Sequence, residues 1–195
     1  MKSVYFKFLI SAAALSICSS SFAGVLWDEA VNGDLTGNRF APHQLTTTIG
    51  SNTIAASTGI GDLEFYTIII PTGMELFAIE HTEYISDDFQ MFIGMVTGDQ
   101  FTVDPSNPDV SLLYGYTLYG TGTLGQDILG EIAIGPGAIG FTGPLGAGSY
   151  TLWAQQTGLS SVHTLDYKVQ AVPEPGSMVA MTLGILALIK KKRAK

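Results

Sequence analysis

Three imidazoles, those of His43, His81 and His163, are the side chains of this 195-residue sequence best suited to general base work near neutral pH. None stands in a spacing that a known chemistry requires. There is no Gly-x-Ser-x-Gly turn to expose a serine, no His-Glu-x-x-His pair to hold zinc, no glycine-rich phosphate loop closed by a lysine, and no cysteine available to pair with a histidine. His81 lies two residues from Glu83, which on a strand puts both on one face, where a solvated polar pair is the plainer reading. Asp87 and Asp88 are adjacent, so on a strand they point to opposite faces and cannot straddle one glycosidic bond. The segment Asp104-Pro105-Ser106-Asn107-Pro108-Asp109 and the run from Glu83 to Asp88 offer oxygens to calcium without the spacing of a calcium loop, and Asp, Asn, Ser and Pro are favoured in turns for local reasons. Tyr114, Tyr116 and Tyr119 form the densest tyrosine cluster, with Tyr114 and Tyr116 expected on one strand face, suited either to stacking on a sugar or to core packing. The residues thus point to no catalytic, cofactor-binding or metal-binding set, and to a protein that is not an enzyme.

Whatever these side chains do, strands must position them. The stretch from Gly24 to Val172 is rich in Gly and Thr and poor in Lys, Arg, Glu and Gln, a composition for strands and tight turns. In Asp62–Ile70, Leu63 and Phe65 alternate against Asp62, Glu64 and Tyr66 before an apolar β-branched run that Pro71-Thr72-Gly73 stops, which predicts a buried central strand and a turn. A second strand begins at Met74, with Phe77 and Ile79 on one face and Leu76 and Ala78 on the other. In the third, Phe89, Met91, Ile93 and Met95 share a face, up to a turn at Thr97-Gly98-Asp99. Tyr150, Leu152 and Ala154 share a face in Ser149–Gln156, and Leu165, Tyr167 and Val169 do so in the last strand; these two are expected to form a hairpin. Only 126–134 has a helical pattern, through Ile128, Leu129 and Ile132, and Gly130 keeps it short. The whole predicts one all-β domain over 24–171, an antiparallel, jelly-roll-like β-sandwich.

Arg39 and Lys168 are the only basic residues between Gly24 and Val172, against 16 acidic ones, a net charge of −14. Such a surface repels phosphate backbones, which argues against nucleic-acid binding.

The two ends differ from the middle. Lys2 and Lys7, an apolar run, and Ser21-Phe22-Ala23 before Gly24 make residues 1–23 a signal peptide, with signal peptidase expected to cut between Ala23 and Gly24. Cys18 would serve a lipoprotein signal, but Ile17 is too bulky for the position before it. Cleavage after Ala23 leaves a chain without cysteine, and hence without disulfides or thiol chemistry.

At the other end, residues 172–195 hold Pro173, Glu174 and Pro175, then an uncharged apolar run over 178–189, then a basic cluster over 190–195. Twelve helical residues reach about 18 Å, short of a hydrocarbon core of about 30 Å, so the run is a marginal anchor, with the basic cluster held on the cytoplasmic side. This order resembles the PEP-CTERM sorting signal of Gram-negative bacteria. The resemblance implies that Pro173, Glu174 and Pro175 are a sorting motif read by an exosortase, a membrane cysteine protease or transpeptidase that removes the hydrophobic segment. The precursor would then be held transiently in the inner membrane and the mature protein would lie at the cell surface or outside, with exopolysaccharide a candidate partner.

The middle resembles the bacterial pre-peptidase C-terminal type of β-sandwich, in Phe65 to Gly73 and in Gly146-Ala147-Gly148-Ser149-Tyr150-Thr151-Leu152-Trp153. That resemblance implies an accessory module. The function expected is that of an exported, non-enzymatic surface or extracellular-matrix protein. A carbohydrate- or Ca²⁺-dependent binding or adhesion module is the alternative, and a secreted hydrolase stands third.

Overall fold

Strands form where β-branched and aromatic residues alternate, and glycine-bearing turns separate them. The computed structural model describes residues 24–156, 158 and 160–173. Among them are nine strands: β1 (Gly24–Asp28), β2 (His43–Thr46), β3 (Asn52–Gly59), β4 (Leu63–Ile70), β5 (Met74–Ser86), β6 (Gln90–Thr97), β7 (Gly115–Gly120), β8 (Gly148–Gln155) and β9 (Ser160–Ala171). Two short helices accompany them, α1 (Glu29–Asn32) and α2 (Leu129–Ala133); α2 buries Leu129 and Ile132, as its pattern predicts. No helix among the described residues is long and apolar enough to cross a membrane. The apolar run over 178–189 and residues 1–23 lie outside the described residues.

The strands make a two-layer sandwich, one sheet in the order β1-β3-β9-β5 and the other β2-β4-β8-β6-β7. The expected sandwich is present, but its sheets are mixed. The chain crosses from one layer to the other after almost every strand, so β1 lies parallel to β3 with β2 in the opposite layer, and β2 lies parallel to β4. Among the described strands, β6 and β7 are the sole consecutive pair joined side by side. The expected hairpin of the last two strands is therefore corrected. Both edges of β8 are occupied by β4 and β6, and both edges of β9 by β3 and β5, so the two strands belong to different layers.

Between the layers lie Ile68, Ile70, Leu76, Ile79, Ile93, Leu152, Leu165 and Val169. A second apolar layer covers the outer face of the five-stranded sheet, where Phe65, Val96 and Trp153 meet Phe101, Val103 and Leu113 from the segment after β6. Arg39 pins that segment: its Nη1 donates to the carbonyls of Thr102 and Val103 at 3.0 and 2.9 Å, while the Phe101 amide donates to the Arg39 carbonyl at 2.8 Å. With both faces covered, β4 is buried over most of its length, which is why its second half reads as a continuous apolar run, and β8 is buried from Thr151 to Ala154.

Two irregularities in β5 revise the expected facing of its residues. The register against β9 shifts between Leu76 and Ala78, so Phe77 is carried to the surface while Leu76 and Ile79 both face the core. It shifts again between His81 and Glu83, which parts that pair: His81 is buried, and Glu83 is exposed with its Oε2 accepting from Thr164 Oγ1 at 3.0 Å. Phe89, expected on the inward face, precedes β6 and is exposed.

Candidate functional site

Four strands bring polar side chains into the interior of the sandwich. β4 brings Glu64 in phase with Tyr66, Ile68 and Ile70; β9 brings Ser161 and His163 in phase with Leu165; β5 supplies His81 and Tyr84; β7 supplies Tyr119. The result is a closed polar cluster within an apolar core. Glu64, His81 and His163 are each 0% exposed. Glu64 Oε2 lies 3.9 Å from His163 Nε2, too far for a hydrogen bond. The ring of Tyr119 stands edge-on to both histidines, with centroids 5.0 Å from His81 and 5.8 Å from His163. His81 is held by Nδ1 to Thr123 Oγ1 at 3.0 Å and packs edge-on against Tyr84.

Several polar atoms of this cluster lack a hydrogen-bond partner: both carboxyl oxygens of Glu64, both ring nitrogens of His163, His81 Nε2, the Tyr119 hydroxyl and Ser161 Oγ. Burial drives the ionisable ones toward neutrality. The Glu64 carboxyl is pushed up to about 10, mainly by desolvation and then by the charges of Glu29, Asp62 and Asp34. His163 is brought down to about 3 by desolvation, with His81 adding to the effect, and His81 itself is lowered by burial. At neutral pH the cluster is thus a carboxylic acid beside two neutral imidazoles, not an ion pair. Shut from solvent, it has no face on which a substrate could sit, and it acts on the fold by making stability depend on pH.

The residues singled out in the sequence are dispersed. The His43 ring packs tilted against Trp27, centroids 4.3 Å apart, and belongs to β2, which contributes nothing to the buried cluster. Asp104 and Asp109 each accept from the amide and hydroxyl of the serine two residues on, Ser106 and Ser111, and these bonds hold both carboxyls below the usual range. Asp88 accepts from the Phe89 amide at 2.7 Å, and Asp87 is exposed. Among the described residues no three of His, Asp and Glu group as a metal site. The three tyrosines do not form one platform: Tyr114 stacks on Phe141, Tyr116 stacks on Phe92 over the outer layer and donates to the Pro136 carbonyl, and Tyr119 is buried between the sheets. Tyr114 and Tyr116 lie on different faces because Tyr114 precedes β7.

Glu64 is the buried ionisable residue that the search for chemistry in the sequence does not single out: Leu63 and Phe65 face the outer apolar layer and Glu64 the inner core. The phase of Tyr66, Ile68 and Ile70, two, four and six residues on, carried the signal.

The other candidate lies at the end of β9. Ala171 is the last residue of the strand, opposite Met74; the Val172 amide donates to the Gly73 carbonyl at 2.8 Å; and Pro173 is exposed. Glu174 and Pro175 fall outside the described residues, as does Ala23; Gly24 is the first residue of β1. Comparison with curated proteins and with solved structures returns no match, so the likeness of the middle to the pre-peptidase C-terminal sandwich gains no support. Residues 171–193 match the PEP-CTERM protein-sorting motif, and the chain thereby carries the signal of an exported precursor that is anchored transiently in the membrane and processed by an exosortase.

Proposed function

We propose that the protein is a non-enzymatic module of the cell surface or extracellular matrix, delivered through its C-terminal sorting signal and left outside as an acidic β-sandwich. The observation that carries this reading is the position of the sorting motif, which begins at residue 171, where β9 and the folded domain end. Everything upstream is then cargo. In support, the ionisable residues buried at the centre, Glu64, His81 and His163, are 0% exposed, and the loop carboxylates of Asp104 and Asp109 are bonded within their own turns. Removal of residues 1–23 by signal peptidase would leave Gly24, the first residue of β1, as the new terminus. The net charge of −14 over 24–172 suits a neutral or cation-bridged matrix, such as exopolysaccharide, over an anionic lipid surface.

Intact-mass spectrometry of the protein recovered from the surface and medium of its host, with and without the exosortase gene, tests the reading. Loss of the segment after Pro-Glu-Pro only when the enzyme is present is the expected result. A full-length tail retained in the inner membrane of both strains would refute it.

A further inference from the structure

The sorting motif is joined to the folded domain without a linker. Val169 is clamped by Gly50, its N–H and C=O each bonded to that residue at 2.9 and 2.7 Å. Gln170 Nε2 donates to Glu75 Oε1 at 2.7 Å, Ala171 stands opposite Met74, and the Val172 amide is bonded to Gly73. The next residue is Pro173, whose missing N–H ends the ladder. β3 pairs with β9 only as far as Asp166 and Gly50 bridges Val169, so residues 170–172 are held from one side, by β5 and Gly73.

An enzyme that cuts a peptide takes it as an extended strand whose backbone groups are free to pair with the cleft. A folded segment reaches that state by local opening, and when opening is fast the cutting rate follows the population of the open form. We propose that the clasp of β9 on β5 is a brake on sorting: the exosortase acts on a folded precursor only from a frayed state in which residues 170–172 have left Glu75, Met74 and Gly73. This rests on the sorting reading and adds a regulation to it. The cleavage that follows breaks one peptide bond of the tail; the amine side leaves with the apolar segment and takes up a proton, and the acyl side passes to water or to a nucleophile supplied by the cell. The need to break these last strand contacts holds the open population down about tenfold.

The test uses the full-length precursor, pulse-labelled in a host with its exosortase. A Gly-Ser-Gly-Ser-Gly-Ser insertion between Val172 and Pro173 moves the domain away while leaving the spacing from motif to apolar segment unchanged. Tail loss about tenfold faster than in the native chain is expected, and Gln170→Ala, which removes the bond to Glu75 without lengthening the chain, should speed it about threefold. Equal or slower loss in both variants overturns the brake; if that loss is still absent from a strain without exosortase, the sorting reading stands. No tail loss in any chain with the enzyme present overturns both.

Discussion

Replacing Glu64 by Gln should stabilise the protein at neutral pH. The carboxyl has a folded-state pKa of about 10 against an ordinary value of 4.5. A group whose pKa is raised on folding is cost-free below its unfolded value, where it is protonated in both states. Above that value the unfolded chain releases a proton that the folded one must keep, and stability falls by about 1.4 kcal/mol per pH unit. At pH 7 the cost of retaining that proton is about 3 kcal/mol, and it grows toward pH 10. Glutamine has nearly the shape of the carboxylic acid and never ionises. Glu64→Gln should therefore match the native protein at pH 4, exceed it by about 3 kcal/mol at pH 7, and exceed it further at pH 9. Urea unfolding of the two proteins across pH 4–9 measures this directly. A variant no more stable than the native chain at pH 7, with the same slope against pH, would mean that Glu64 is ionised and compensated in the fold, and the reasoning would fail.

His163 acts with the opposite sign. Its pKa of about 3 in the fold lies below the ordinary 6.5, so its contribution is complete above pH 6.5 and is lost as pH falls toward 3. Together the two groups predict a stability plateau between about pH 4.5 and 6.5 with a decline on each side, and His163→Gln should flatten the acid limb, as read by the same urea series. Gly115→Ala should cost about 2 kcal/mol or displace α2, because a Cβ there would lie 2.3 Å from the Ile132 carbonyl oxygen; thermal unfolding reads the loss. Asp166 accepts from the Asn52 amide at 2.9 Å and from Lys168 Nζ at 2.6 Å, and also from the Ser51 hydroxyl. Asp166→Ala leaves that buried amide unpaired and should lower stability by about 2 kcal/mol. Arg39→Met should loosen the segment that covers the outer face of β4 and β8, and faster amide exchange at Phe101 is the expected readout.

The sorting signal was legible from residues alone because it is linear: Pro173-Glu174-Pro175, an apolar run and a basic cluster are read in order along the chain and need no partner from elsewhere in it. The strands were legible for a similar reason, since alternation at Met91, Ile93 and Met95, or at Leu165, Tyr167 and Val169, records one buried face. Which strand lies beside which was decided only in three dimensions. The turns after β4 and β6 were readable as turns, but nothing local says that the one after β6 folds back onto a neighbouring strand while the one after β4 carries the chain to the opposite layer. That choice depends on how many edges the other strands leave open. The facing of Glu64 and His81 belongs to the same class. Where a strand is covered on both sides, as β4 is, alternation no longer separates inside from outside, and where the register shifts, as in β5, the phase of one half of a strand does not predict the other. The sites that escaped the sequence are therefore those whose burial is set by residues distant in the chain.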